Sequence, residues 1–272
     1  MKDVTFGQYY PVDSVVHRLD PRVKILLLIA YIVMVFIVKG FWGFALAGLF
    51  LLFVVLLSRV PLFSVLKSVK AVIFIIALTF IINVFLHRGE NETVLWTWKI
   101  FTITDKSLEF ATFMALRLLF LVIGSCVLTL TTAPVQLTDG IESLLTPLKW
   151  IKFPVHELAL VMSIALRFIP TLMEETSRII SAQKARGAEF ESGNLFKRAK
   201  ALLPVLIPLL ISAFRRAEEL GDAMDARCYS EAKKRTKYKK LKIGLRDVIA
   251  VLVTASAICG VVLLNVYTVN VI

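Results

Sequence analysis

The chain has 272 residues, of which 58% are hydrophobic, and its formal net charge is +12 at pH 7. Its mean hydropathy of +0.78 exceeds that of soluble domains, in which about half of the residues are apolar, so a lipid bilayer is its natural solvent. The three cysteines, Cys126, Cys228 and Cys259, form no CxxC pair, which argues against a disulfide framework and against a zinc site.

Apolar runs predict four membrane spans within residues 1–130. The first begins after Asp20, which can cap a helix, and Pro21, which suits the first helical position, and it extends to about residue 38. The next three cover about residues 41–57, 71–86 and 110–130. The polar stretch 87–109 carries aromatic residues that are typical of a membrane interface or of a short hairpin.

Residues 131–232 are helical in pattern but too charged to cross lipid repeatedly, and we interpret them as a cytoplasmic working domain. Three amphipathic helices are predicted there, over about 136–148, 155–184 and 195–224. In the last of them, Leu202, Leu206, Leu209 and Leu220 are predicted to face inward. Pro204 and Pro208 are expected to bend it, because each removes a backbone donor.

Residues 233–272 comprise a basic segment and a fifth span over about 248–266. The sequence therefore predicts an all-α integral membrane protein with about five transmembrane helices and three lateral amphipathic helices. Most Lys and Arg residues lie on one side if the amino terminus, the 58–70 connection and the segment 131–246 are cytoplasmic. The positive-inside rule favours that orientation, with the carboxyl terminus outside.

Two helix-ending tracts share an A-x-x-A-R pattern. They are Ala182–Gly187, which contains Ala185 and Arg186, and Ala223–Cys228, which contains Ala226 and Arg227. Small Ala residues permit close approach of another surface, and Arg offers a planar fork of donors suited to a carboxylate. The repeated pattern therefore predicts two contacts with acidic receptors, although each Arg could instead cap its own helix.

Several kinds of site are absent from the sequence. No G-x-x-x-x-G-K-[ST] motif occurs, so any ATP must be bound by another subunit, and the three histidines do not form a metal-binding pattern. The pairs Glu174-Glu175 and Glu218-Glu219 suggest acid-base chemistry or, as we favour, ion pairs within their own helices, Glu174 with Arg178 among them. We expect no cofactor and no metal in this chain.

Several sequence patterns resemble the transmembrane, or T, component of energy-coupling factor (ECF) transporters, the vitamin and metal importers of the ABC class. Residues 14–24 resemble its S-x-x-H-x-L-D-P-R-x-K opening, and residues 131–134 and 144–148 resemble its T-T-x-P and L-L-x-P-L stretches. Further family motifs are resembled, in the family's order, by residues 165–170, 182–187 and 216–229.

The resemblance implies that two A-R-G-like motifs at the ends of long coupling helices insert into grooves of two ATPase subunits. The coupling residues would then be Ala185, Arg186, Gly187, Ala226, Arg227 and Cys228, with Cys228 standing where the family often has Gly. It also implies a separate membrane-embedded substrate-binding subunit. The apolar residues Leu202, Leu206, Leu209 and Leu210 are candidates for docking it, since they would be exposed in a lone subunit.

Two other classes of protein remain open on the sequence alone. A secondary transporter with its own substrate path is suggested by Arg117, an ionisable residue within a span, and by Asn83. Arg117 could equally reach the interface or pack against a neighbouring helix. A membrane-bound enzyme would use the Glu pairs. The substrate of a transporter is not predicted.

Overall fold

The computed structural model describes residues 9–86, 94–98, 101–151, 153–188, 190, 194–229 and 244–269. Eight α-helices and one two-stranded antiparallel sheet are found in these residues. They confirm the predicted all-α fold, and the short hairpin is one of the two alternatives that the sequence left open for residues 87–109. In chain order the elements are α1 (Pro21–Ile37), α2 (Phe41–Ser58), α3 (Leu62–Leu86), β1 (Val94–Trp98), β2 (Phe101–Thr104), α4 (Asp105–Thr131), α5 (Pro134–Leu145), a 3₁₀ helix (Thr146–Ile151), α6 (Val155–Ala185), α7 (Leu195–Ala226) and α8 (Leu245–Val269).

Among the described residues, five helices are long and apolar enough to cross a membrane, namely α2, α3, α4, α6 and α8. Three helices, α3, α4 and α8, are longer than the predicted spans 71–86, 110–130 and 248–266. They include polar residues at their ends that the apolar runs left out. The first predicted span forms α1, whose 17 residues make a helix about 25 Å long, close to the lower limit for a span. Helix α6 qualifies by composition because its charged residues are concentrated in its second half.

The helices form two compact units, Met1–Phe153 with Leu241–Ile272, and Pro154–Lys240. Helix α5 packs on α1 in the first unit, where Gly140 meets Pro21 closely, although α5 belongs to the predicted 131–232 domain. The second unit contains α6 and α7, which contact each other. The predicted domain boundaries at residues 130 and 232 separate membrane-spanning from cytoplasmic segments, whereas the two compact units are defined by packing. Those boundaries stay a prediction.

The core of the first unit surrounds α1, which contacts α2, α4, α5 and α8. Met34, Val35 and Val38 are fully buried there and pack with Ala47 of α2 and Val261 of α8. Helix α4 approaches α1 closely at Gly124, where a Cβ atom would collide with the ring of Tyr31. One face of α1 is therefore packed against its neighbours, while Leu26, Ile29, Val33 and Phe36 lie on an exposed face.

The amino-terminal end of α1 is capped as the sequence predicts. The Asp20 carboxylate accepts a hydrogen bond from the backbone N–H of Arg22 (2.9 Å), and Pro21 occupies the first turn. The backbone N–H of Asp20 donates to Asp247 Oδ1 at the start of α8 (2.8 Å). The other carboxylate oxygen of Asp247 accepts from Gly244 (2.7 Å), so one side chain joins the beginnings of α1 and α8.

Lys24 joins the same end of α1 to the end of α4. Its side chain is buried, and Nζ donates to the carbonyl oxygens of His17 (3.1 Å) and Thr131 (2.9 Å) and to Thr132 Oγ1 (3.3 Å). A buried ammonium is tolerated only when its donors are satisfied, and here three oxygens accept from it. The residues of the S-x-x-H-x-L-D-P-R-x-K and T-T-x-P patterns thus form one hydrogen-bonded cluster.

The carboxyl-terminal end of α1 is held by the same two helices. Arg117 of α4 donates from Nη2 to the carbonyl oxygen of Val38 (3.0 Å), and its guanidinium lies 5.7 Å from the centroid of the Phe36 ring. Asn265 of α8 donates to the carbonyl oxygen of Ile37 (2.7 Å) and accepts from the N–H of Lys39 (3.3 Å). Arg117 is therefore a partner in helix packing, the structural alternative that the sequence left open.

We expect the Lys24→Met variant to lower the free energy of unfolding by about 2 kcal/mol, because the buried oxygens of Thr131 and Thr132 and the half-buried carbonyl of His17 lose their donor. The measurement is thermal or denaturant unfolding of the purified chain in detergent. Lys67→Met, at an exposed position of α3, is the matched control. Equal stability of the two variants would contradict the proposed role of Lys24.

Candidate functional site

The two long helices of the second unit are joined by an ion pair. Arg216 Nη2 of α7 lies 2.9 Å from Glu175 Oε2 of α6, and Ser212 also hydrogen bonds to this carboxylate. The intrahelical pair predicted between Glu174 and Arg178 is wrong, since no contact within 4 Å joins them in the described structure. Glu175, one member of the acidic pair of α6, thus links the two helices.

The face of α7 that is least exposed contains Arg216. Val205 is buried, and Leu209, Ala213, Arg216 and Leu220 are half-buried at helical spacing. The prediction that Leu202 and Leu206 face inward is wrong, because they are 51% and 60% exposed. Apolar residues lie on more than one face of α7. Hydrophobic periodicity alone therefore could not predict which of these faces is buried.

The exposed face of α7 is a continuous apolar stripe. It consists of Leu202, Leu203, Leu206, Ile207, Leu210, Ile211 and Phe214, each at least 48% exposed. Three of the four leucines predicted to dock another subunit belong to it, and Leu209 is half-buried beside it. The helix passes through Pro204 and Pro208 without ending.

Helix α6 ends in a Schellman motif, which satisfies carbonyl groups at a helix end by two nested hydrogen bonds. The N–H of Ala188 donates to the carbonyl oxygen of Gln183 (3.0 Å), and that of Gly187 donates to Lys184 (3.0 Å). Gly187 has φ of +87°, a conformation that glycine adopts without strain. Arg186 is the last residue before it, and its side chain is exposed.

Helix α7 ends in the same motif. The N–H of Tyr229 donates to the carbonyl oxygen of Met224 (2.9 Å), and that of Cys228 donates to Asp225 (2.9 Å). Cys228 takes the left-handed conformation, with φ of 54°, in the position that Gly187 holds in α6. The departure from glycine at this position therefore leaves the helix ending unchanged, at a conformational cost of roughly 1 kcal/mol.

The two arm ends, which we define as 182–188 and 223–229, present their arginines in equivalent positions. In each, Ala precedes Arg, and Arg directly precedes the left-handed residue. Within the described part of the chain, neither Arg186 nor Arg227 has a side-chain hydrogen bond or ion pair. Their guanidinium groups are therefore free to bind an external carboxylate in a bidentate manner.

In the described residues, no group of three or more His, Cys, Asp or Glu side chains could hold a metal ion.

The sequence motifs revealed the arm ends, but two sets of contacts had no clear signal in the sequence. The pairing of Glu175 with Arg216 joins residues 41 positions apart, and two of the three partners of Lys24, Thr131 and Thr132, lie at the end of α4.

Comparison with known proteins identifies the family. The family described as cobalt transport protein matches residues 13–238. The energy-coupling factor transporter transmembrane protein EcfT of Clostridium kluyveri is 51% identical over 259 residues, covering 95% of this chain and 96% of that relative. The chain belongs to the EcfT family. Proteins of the same name from Ruminiclostridium cellulolyticum and Bacillus subtilis are 47% and 46% identical, covering 97% and 89% of this chain and 98% and 90% of the relatives.

Membership of this family confirms the resemblance found in the sequence. The chain is the transmembrane component of an ECF transporter and a multi-pass membrane protein. Its relatives are transporter components by name, in agreement with a subunit that acts in transport together with other components.

We expect Gly187→Ala to loosen the end of α6, because a Cβ atom disfavours a positive φ by roughly 1 kcal/mol. Hydrogen exchange of the amides of residues 187 and 188 should become about fivefold faster. Gly221→Ala is the matched control, since Gly221 lies within α7 with nothing near its Cβ position. Equal exchange rates in both variants would argue against the left-handed cap.

Proposed function

We propose that this chain is the scaffold and coupling subunit of an ECF importer in a prokaryotic cell membrane. It transmits ATP binding and hydrolysis in two partner ATPase subunits to a membrane-embedded substrate-binding subunit, which takes up a vitamin or a metal. The observation that carries this proposal is the pair of matching arm ends, each with a free Arg beside a left-handed cap. Two equivalent contacts suit two similar ATPases.

The chain supplies the mechanical link and the ATPases supply the energy. No phosphate-binding loop occurs in the sequence, so ATP binds to the partners and this subunit is not an enzyme. Helices of 31 and 32 residues are about 46–48 Å long. Because the Glu175–Arg216 pair joins them, a displacement of either arm end is transmitted to the other helix.

The exposed apolar stripe of α7 provides the surface for the substrate-binding subunit. An apolar stripe of this extent is typical of an interaction site, and it lies on the helix that ends in the second Arg. Leu202, Leu206 and Leu210 would make the contact, with Leu209 at its edge. Movement of the arm ends would thereby reach the docked subunit through one continuous helix.

A stand-alone secondary transporter is less well supported. Arg117 donates to the end of α1, and Asn83 donates to the carbonyl oxygen of Thr79 within its own helix (2.8 Å). The two polar residues that suggested a substrate path thus both have structural partners.

We expect the double variant Arg186→Glu with Arg227→Glu to lose both co-purification with the ATPases and ATP-driven uptake. Each substitution places a carboxylate opposite the proposed carboxylate of an ATPase, where the arginine would bind. Arg178→Glu with Arg215→Glu, at exposed positions of the same two helices, should retain both. Uptake by the first double variant at the rate of the control would refute the coupling role.

The orientation proposed for the chain places the amino terminus and both arm ends in the cytoplasm and the carboxyl terminus outside. The hydrogen bonds of α1 support opposite sides for the two termini, because α8 contacts α1 near residue 20 through Asp247 and near residue 37 through Asn265. The two helices therefore run parallel and cross the membrane in the same direction.

Labelling of Cys228 tests this orientation, since its side chain is exposed. In a chain whose other two cysteines are replaced by Ala, a membrane-impermeant maleimide should label inside-out vesicles and spare right-side-out vesicles. The reverse pattern would place the arm ends outside and contradict the proposal.

A further inference from the structure

Two adjoining cavities in the first unit differ in charge. One, of about 680 Å³, is lined by Arg18, Arg59 and Arg246, by Asp13 and Ser14, and by the apolar side chains of Val15, Phe53, Leu56 and Leu57. The other, of about 330 Å³, is lined almost entirely by apolar side chains of α1, α2, α4 and α8. Phe53 and Leu57 line both, so the cavities lie side by side along α2. We call them the basic cavity and the apolar cavity.

From this juxtaposition we infer that the two cavities form a binding site for an anionic phospholipid. The headgroup phosphate occupies the basic cavity, and an acyl chain enters the apolar cavity. The site shares no residue with the arm ends or with the exposed stripe of α7, and it does not depend on the coupling role.

The basic cavity carries unsatisfied positive charge. Arg59 ends α2 and Arg246 lies in the first turn of α8, and neither guanidinium has a hydrogen bond or ion pair among the described residues. The third arginine, Arg18, pairs with Asp13 at 3.4 Å. Three guanidinium groups against one carboxylate leave an excess of positive charge, which favours a phosphate over a neutral or cationic group.

The apolar cavity offers no polar group to a ligand. Its lining includes Lys24, Tyr31, Thr131 and Thr254, but each of these already donates to an oxygen of the protein. A polar solute would find no partner there and would lose its hydration. The remaining lining is apolar, including Leu27, Phe50, Val54, Leu128, Ile249 and Val253, and it suits a hydrocarbon chain.

The dimensions also suit a lipid. The volume of about 330 Å³ lies within the range of about 300–1,000 Å³ that is typical of ligand pockets. Along α8 the lining runs from Arg246 to Thr254, a distance of about 12 Å in a helix. The phosphate would therefore lie at the membrane surface and the acyl chain below it. In the proposed orientation this is the cytoplasmic surface, where anionic lipids attract basic residues.

The test is a titration of the purified full chain in detergent with phosphatidylglycerol, with phosphatidylcholine in parallel, counting bound lipid by native mass spectrometry. We expect the wild type to prefer phosphatidylglycerol, and Arg59→Gln with Arg246→Gln to weaken its binding about thirtyfold. Lys67→Gln with Lys70→Gln, which removes the same charge from α3, should change it little. Equal binding of the two lipids by the wild type, or equal loss in both double variants, would overturn the site.

Two further variants separate the headgroup from the acyl chain. Val253→Phe fills the apolar cavity and should reduce binding of phosphatidylglycerol, whereas Val251→Phe, outside the lining, should not. Asp13→Asn removes the carboxylate beside Arg18 and should raise the affinity several-fold, an effect that a merely structural role would not produce. Equal binding by the two Phe variants, unchanged or reduced binding by the Asn variant, or competition by inorganic phosphate at the lipid's concentration would refute the proposal.

Discussion

The backbone groups at the two ends of α1 must find partners inside a membrane protein, and the packing of the first unit depends on how they do so. At one end Asp247 and Lys24 join α1 to α8 and α4. At the other end Asn265 and Arg117 join α1 to the same two helices. Unsatisfied backbone groups are costly in lipid, so these four polar side chains fix the position and the direction of three helices at once.

The second unit is organised by a different kind of contact. Helices α6 and α7 contact each other and are joined by one ion pair, and each finishes in the same hydrogen-bonded cap. A cap of this kind stops the helix and turns the chain away from its axis, which leaves the preceding arginine exposed. The same cap therefore ends the helix and exposes the arginine, both in α6 and in α7.

Charge has separate roles in the two units. In the first unit, buried Lys24 and half-buried Arg117 satisfy helix ends and are unavailable to a substrate. In contrast, Arg186 and Arg227 at the arm ends, and Arg59 and Arg246 at the basic cavity, are exposed and have no partner within the described chain, whereas Arg18 of that cavity pairs with Asp13. Cations that already have hydrogen-bond partners in the chain maintain the fold. Cations without a partner are the ones proposed to bind another molecule, either a protein carboxylate or a lipid phosphate.

Local sequence determined the helices, the Asp20 cap with Pro21, and the two A-x-x-A-R arm ends, because periodicity and capping act over a few residues. Tertiary structure decided the rest. It selected the face of α7 that is covered, paired Glu175 with Arg216 instead of with its own helix, and gave Lys24 and Arg117 their acceptors on distant helices. These contacts join positions far apart in the chain, and their geometry is set by packing between helices, which no local pattern of residues specifies.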